Sequence, residues 1–153
     1  MLFRSIQQFE RVLVTGATSG IGSAIVHALS ARGARVLAIG RRRERLEQLS
    51  ERTGCDTQVV DLVDTGAVRA LGESARCDVV INNAGVLHGF EGLSGAPRED
   101  IDRAIDTNVR AAYHLLATML PAMRRRGRGH IVNIGSMAGL YALSSAVYGG
   151  TKA

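Results

Sequence analysis

Short β-branched runs alternate with longer amphipathic stretches along almost the whole chain. The apolar runs have the length and composition of buried strands and lie at 11–15, 35–39, 57–60, 78–81 and 130–134. The stretches with helical character lie at about 20–32, 42–52, 64–74 and 97–126, with a last helix from near residue 144. Strands that alternate with helices form parallel sheets, and nearly continuous apolar strands need helices on both faces. The pattern therefore predicts a doubly wound parallel α/β sheet.

Composition favours a single domain. The chain has 153 residues, of which 46% are hydrophobic and 22% charged, values ordinary for a globular protein with a real core. Its 18 glycines and two prolines favour tight turns between regular elements. No internal repeat or linker divides the sequence, so we expect one domain over residues 1–153.

The net charge of +5 comes largely from two arginine clusters, at 41–43 with Arg45 and at 124–126 with Arg128. Charge runs are usually solvated faces, which is our expectation for the second cluster. No nucleic-acid-binding motif accompanies the charge, and tryptophan is absent. We therefore expect no nucleic-acid partner.

The remaining composition indicates a cytoplasmic protein. Cys55 and Cys77 have neither metal-ligand spacing nor a paired framework, so no metal is expected and the thiols fit a reducing compartment. The amino terminus lacks the apolar core of a signal peptide. No stretch approaches the roughly 20 apolar residues that cross a bilayer, so no membrane association is expected.

A glycine-rich loop joins the first strand to the first helix, at residues 15–22. Glycines allow a backbone to approach a pyrophosphate closely, and a helix N-terminus offers free N–H groups and positive potential. A plain strand-to-helix turn would explain two of the three glycines, but the position between a strand and a helix favours dinucleotide binding. The candidate binding residues in this loop are Gly16, Thr18, Ser19, Gly20, Ile21 and Gly22.

The end of the second strand favours NADP over NAD. An NAD site usually has an acidic side chain there for the ribose 2′-hydroxyl, whereas this chain has no acid before Glu44. Arg41 could instead pair with a 2′-phosphate. Asp61, after the third strand, could accept from the adenine amino group, although a helix-cap or turn aspartate explains it nearly as well.

Lys152 is the only lysine beside 18 arginines, and it lies four residues after Tyr148. Positions i and i+4 share a face of a helix, so the two side chains project together. An ammonium group favours the anion of a neighbouring phenol, which can then act as an acid or base near neutral pH. The alternative is an exposed pair with no chemical role.

Together these residues resemble the short-chain dehydrogenase/reductase family. The motifs are the loop at 15–22, Asn82-Asn83-Ala84-Gly85, Asn108, Ser136 and Tyr148-x-x-x-Lys152, in the family's order and spacing. The resemblance implies a Rossmann-type sheet of strand order 3-2-1-4-5. It also implies NADP(H) as cofactor, a small alcohol or ketone as substrate, and a homo-oligomer in full-length form.

The resemblance also implies a role for each motif residue. Tyr148 is expected to be the general acid for reduction and the base for oxidation. Lys152 is expected to lower the pKa of Tyr148 and to hold the nicotinamide ribose. Ser136 is expected to hydrogen-bond the substrate oxygen, and Asn108 to position a water behind Lys152. The alternatives are that Ser136 is a simple turn or cap serine and that Asn108 is a helix-interior asparagine.

Other motif residues have less definite roles. Asn83, Ala84 and Gly85 are expected beside the cofactor, with Asn82 and Asn83 more structural than chemical. His88 is an alternative acid, but its glycine-rich surroundings favour a surface or substrate-loop role. The stretches 86–92 and 137–143 are mostly small and apolar, which indicates a moderately hydrophobic substrate.

Family members typically continue for roughly another hundred residues, with two more strands and a lid. Because the printed sequence lacks these residues, we expect a frayed catalytic helix, an exposed fifth strand and little activity in the chain as printed. Three interpretations stay open: a fragment of an enzyme, a damaged inactive product, or a nucleotide-binding or dimerisation module without turnover.

Overall fold

Five parallel strands form the centre of the structure, a computed structural model that describes residues 11–87, 92–141 and 146–153. The strands are β1 (Val12–Val14), β2 (Val36–Gly40), β3 (Asp56–Val59), β4 (Val79–Asn82) and β5 (His130–Asn133). Their order is β3-β2-β1-β4-β5, with every pairing parallel. The predicted doubly wound α/β fold and its strand order are confirmed.

Helices connect the strands. They are α1 (Gly20–Ser30), α2 (Arg43–Thr53), α3 (Thr65–Ser74), α4 (Arg98–Ile105), α5 (Ala111–Arg126) and α6 (Ala146–Lys152). A π-helical turn, Asp106–Arg110, joins α4 to α5, and nothing in the sequence indicated it. The first helix ends two residues earlier than predicted. Gly33, at φ +78°, lies in the turn that follows, where a left-handed conformation suits glycine. The predicted helix start near Ser144 and the role of His88 lie outside the described residues.

The strands bury alternate side chains against opposite helical layers. Val12 and Val14 belong to a core cluster that includes residues of α1 and α2, whereas Leu13 belongs to a cluster formed with α3 and α5. The inward leucines predicted for the second helix, Leu46 and Leu49, are buried in the first cluster. This alternation fixes the register of each strand, because a shift of one residue would exchange its two faces.

The two outer strands of the sheet, β3 and β5, are largely exposed. Every residue of β5 is exposed, including Ile131 at 38% and Val132 at 42%, because β5 pairs only with β4 in the described part of the chain. The expectation of an exposed fifth strand therefore holds for these residues. None of the described helices has the length and apolarity needed to cross a bilayer.

A buried aspartate ties the carboxyl end of α5 to the sheet. Asp78 is 1% exposed; its Oδ1 lies 3.3 Å from Arg126 Nε and its Oδ2 3.2 Å from Arg128 Nη2. Arg126 Nη2 also donates to the carbonyl of Cys77 at 2.7 Å. The cluster is exposed, as expected of a solvated face, and two of its members also pair with the buried Asp78 carboxylate, which needs charged partners.

Both cysteines are free and buried. Burial raises the pKa of the Cys77 thiol to about 11. The thiol therefore stays protonated at neutral pH and acts as a small apolar side chain.

Asp78→Asn is predicted to lower the free energy of unfolding by about 3 kcal/mol, because it removes both ion pairs from a buried site. Urea denaturation followed by circular dichroism measures the change. Glu73→Gln is the matched control, since its partner Arg69 is 4.0 Å away and both side chains are exposed. Its effect should stay below about 1 kcal/mol. Equal losses in the two variants would contradict the assignment.

Candidate active site

A cavity of about 560 Å³ lies at the carboxyl ends of the central strands. Most of the predicted cofactor residues form its wall, namely Gly16, Thr18, Ser19, Gly20, Ile21, Arg41, Asp61, Asn83, Ala84 and Gly85. Gly40, Arg42, Val60, Leu62, Val86 and Thr107 complete the wall. The crevice beyond the carboxyl ends of parallel strands is where open α/β sheets bind ligands.

Two glycines of the loop are required for different physical reasons. Gly20 has φ +52° and open space around its missing side chain, so its conformation requires glycine. Gly22 has no such conformational need, but a Cβ there would come within 2.5 Å of Asn83 Nδ2. The loop is therefore packed closely against Asn83, just after β4.

The start of α1 is suited to an anion. Ser19 is the N-cap residue but makes no side-chain capping bond, and the first turn contains no acidic residue. Exposed N–H groups at a helix N-terminus carry partial positive charge. A phosphate in the cavity would meet these groups, so the cradle fits a pyrophosphate.

Thr15 joins the glycine loop to the loop after β4, and sequence reasoning did not single it out. Its Oγ1 donates to the carbonyl of Ile81 at 3.4 Å and accepts from the backbone N–H groups of Asn83 and Ala84 at 3.0 and 2.9 Å. In the opposite direction, Asn83 Nδ2 donates to the carbonyls of Thr15 and Gly16. The predicted structural role of Asn83 matches these bonds.

Arg42 is a second residue that the sequence did not reveal. Its Nη2 donates to Thr18 Oγ1 at 2.7 Å and to Ser19 Oγ at 2.8 Å. Arg41, the predicted phosphate partner, is exposed at the same cavity mouth. The cavity wall therefore carries two arginines close in sequence and the hydroxyls of Thr18 and Ser19, a donor set suited to a phosphate.

Asp61 has an ordinary local partner. Its Oδ1 accepts from the backbone N–H of Val63 at 3.2 Å, a hydrogen bond typical of an aspartate in a turn. The side chain also lies on the cavity wall, so both alternatives for Asp61 stay open.

Tyr148 and Lys152 lie on α6 and, like Gly22, are predicted cofactor residues outside the cavity wall. Lys152 Nζ donates to the carbonyl of Ile134 at 3.0 Å and is 6.0 Å from the centroid of the Tyr148 ring. A Cβ added to Gly85 would be 3.3 Å from the same Nζ, so the ammonium group lies against the rim of the cavity wall. Lys152 therefore connects the predicted pair to the candidate cofactor site.

Asn108 lies in the π-helical turn and connects three segments. Its Oδ1 accepts from Val86 N at 2.7 Å, and its Nδ2 donates to Val86 O at 3.0 Å and to Thr151 Oγ1 at 2.9 Å. The wider turn of a π-helix, a feature frequent at functional sites, is the local structure that carries this side chain.

Ser136 caps the short turn Met137–Gly139, where its Oγ accepts from Ala138 N at 3.2 Å. The hydroxyl is an acceptor in this bond, so its own hydrogen can still be donated to another oxygen. A capping role and a substrate contact are therefore compatible at this residue.

The family model described as short chain dehydrogenase matches residues 10–153. The chain belongs to this family. An uncharacterized short-chain type dehydrogenase/reductase of Sinorhizobium fredii is 42% identical over 149 residues, covering 97% of this chain and 60% of that protein. The NADP-dependent 3-hydroxy acid dehydrogenase YdfG of Escherichia coli K12 is 38% identical over 150 residues, covering 93% and 60%.

Solved structures of short-chain dehydrogenases have the same fold. The serine dehydrogenase of Escherichia coli superposes with a TM-score of 0.88 at 37% identity, covering 93% of this chain and 69% of that one. A closed form of serine dehydrogenase complexed with NADP⁺ has the same TM-score and identity, with 60% of that chain covered. The chain thus spans about 60% of the length of the curated relatives it matches.

Thr15→Val is predicted to destabilise the protein by about 2–4 kcal/mol, because the part-buried N–H groups of Asn83 and Ala84 lose their shared partner. Thr15→Ser keeps the hydroxyl and should cost only about 1 kcal/mol for the lost methyl group. Chemical denaturation of the three proteins measures both changes. A serine variant as unstable as the valine variant would show that packing, and not hydrogen bonding, is what Thr15 contributes.

Proposed function

We propose that the protein is an NADP(H)-dependent oxidoreductase that transfers a hydride between its cofactor and an alcohol or carbonyl carbon. One observation carries the proposal: the cavity wall combines the glycine loop with Arg41 and Arg42, and Lys152 Nζ lies against Gly85 in the same wall. NADP(H) has its 2′-phosphate and its nicotinamide ring at opposite ends, with the pyrophosphate between them, so a wall with these groups suits the whole cofactor.

The adenosine end favours NADP(H). Arg41 and Arg42 would hold the 2′-phosphate, with the hydroxyls of Thr18 and Ser19 as further donors. No acidic side chain precedes Glu44 in this segment to bond a free 2′-hydroxyl. The YdfG dehydrogenase and the serine dehydrogenase complex, whose names include NADP, support the same choice.

The backbone of residues 16–22 would hold the pyrophosphate. Its glycines leave the loop surface flat, and the amino end of α1 directs N–H groups and positive potential toward the cavity. Lys152 would hold the hydroxyls of the nicotinamide ribose, since its ammonium group lies against Gly85 at the cavity rim.

The cofactor, when bound, supplies or accepts the hydride at its nicotinamide ring. Tyr148 would donate its phenolic proton to the carbonyl oxygen during reduction and would accept it back during alcohol oxidation. The Ser136 hydroxyl would donate to the same oxygen as negative charge develops there. Lys152 would favour the phenolate form of Tyr148 through its positive charge.

Asn108 would keep this end of the site in position. Its amide is already bonded to Val86 and Thr151, which fixes its orientation, and the second lone pair of Oδ1 is the group that could hold a relay water. The water relay, the moderately hydrophobic substrate and the homo-oligomer stay predictions.

Arg41→Ala and Arg42→Ala are each predicted to weaken NADPH binding by about tenfold or more, because each removes a charge-assisted contact with the 2′-phosphate. NADH has no such phosphate and should lose far less affinity. Fluorescence titration with both cofactors measures the difference. Arg124→Ala is the control, since it removes the same charge from the far end of α5. Equal losses for NADPH and NADH would exclude a 2′-phosphate site here.

In a full-length context, Tyr148→Phe is predicted to reduce ketone reduction by about 10²-fold or more while NADPH affinity changes little, because only the transferable proton is lost. A panel of small ketones, followed by NADPH oxidation, provides the assay. Tyr113→Phe is the matched control on an exposed face of α5, where Tyr113 is 72% exposed. Undiminished turnover in Tyr148→Phe would overturn the assignment. NADPH binding without any turnover by the unaltered chain would favour the alternative of a nucleotide-binding or dimerisation module.

A further inference from the structure

Tyr148 and Lys152 both lie on helix α6, Ala146–Lys152. Close backbone packing supplies part of its support. A Cβ at Gly149 would be 2.8 Å from the carbonyl of Ala138, and one at Gly139 would clash with the carbonyl of Lys152. These contacts hold α6 against the turn at 137–139. They do not fix the rotation of α6 about its own axis relative to the cavity, which depends on other groups.

Thr151, between Tyr148 and Lys152 in sequence, makes a bond that reaches beyond the helix to the π-helical turn. Its Oγ1 donates to the carbonyl of Tyr148 at 2.8 Å, a common local bond for a helical threonine. The same oxygen accepts from Asn108 Nδ2 at 2.9 Å, across 43 positions of sequence. A local helix bond by itself would not need that second partner.

The direction of each hydrogen bond in this chain of groups is determined. Val86 N is a donor, so the Asn108 atom that faces it must be the oxygen, which leaves the amide nitrogen toward Thr151. An amide nitrogen only donates, so Thr151 Oγ1 must accept from it and use its single hydrogen for Tyr148 O. The wall of the cavity at Val86 is thereby connected to the backbone of Tyr148.

We propose that Thr151 is a positioning residue, whose hydroxyl bridges Asn108 and the Tyr148 carbonyl and so fixes the orientation of Tyr148 and Lys152 toward the cofactor cavity. The proposal rests on the proposed function, because it assumes that these two side chains meet the nicotinamide end of NADP(H). Thr151 itself touches neither reactant, and its effect passes through the helix it anchors.

Two ligands of different length distinguish a positioning role of Thr151 from a general loss of structure in the variant. Adenosine 2′,5′-bisphosphate occupies only the arginine and glycine-loop end of the cavity, whereas NADPH also extends to Tyr148 and Lys152. Thr151→Val keeps the side chain's shape and removes its hydroxyl, and Thr151→Ser keeps the hydroxyl. Thr118→Val is the matched control, because Thr118 Oγ1 makes the same local bond to Leu115 O at 2.8 Å within α5.

The expected result is that Thr151→Val weakens NADPH binding by about tenfold and leaves adenosine 2′,5′-bisphosphate binding within about twofold. Thr151→Ser and Thr118→Val should keep the affinities of the unaltered chain for both ligands. Thr151→Val binding NADPH as tightly as the unaltered chain, or losing both ligands equally, would overturn the positioning role. If the unaltered chain bound NADPH no more tightly than the bisphosphate, the proposed contact of Tyr148 and Lys152 with the cofactor would fail, and the role of Thr151 with it.

Discussion

The hydroxyl of Thr15 is buried between β1 and β4 and bonds the backbone of Ile81, Asn83 and Ala84. Parallel strands end in loops that share no regular hydrogen bonds, so something else must fix their separation. Here a side chain does so, and the amide of Asn83 completes the connection to Thr15 and Gly16. The glycine loop, the amino end of α1 and the cavity wall at residues 83–86 all depend on this connection for their relative positions.

Polar side chains also anchor the helix that carries the far end of the site. Asp78, at the opposite edge of the sheet, holds the carboxyl end of α5 through Arg126 and Arg128. Asn108, just before α5 begins, bonds to Val86 and Thr151. The helix is therefore tied at both ends to segments flanking β4, while Leu115 and Met119 pack between them. Polar anchors fix its position along the sheet, and apolar burial supplies most of the stability.

Patterns local in sequence predicted the fold class and the candidate site residues. Strand and helix periodicity indicated the doubly wound parallel sheet, the family resemblance indicated the strand order, and Gly16 and Tyr148 were identified from motifs of a few residues. The roles of Thr15, Arg42 and Thr151 were not predicted, because they depend on partners 23 to 69 positions away. The π-helical turn at Asp106–Arg110 was missed for a related reason, since its residues have no composition that separates them from an α-helix.

The most direct measurement is a crystal structure of this short-chain dehydrogenase chain grown with NADP⁺. The expected density places the pyrophosphate against residues 16–22, the 2′-phosphate at Arg41 or Arg42, and the nicotinamide ribose at Lys152. These three contacts together require one cavity to hold the whole dinucleotide. A 2′-phosphate turned toward solvent, or a nicotinamide ring away from Tyr148 and Lys152, would contradict an NADP(H)-dependent active site at this edge of the sheet.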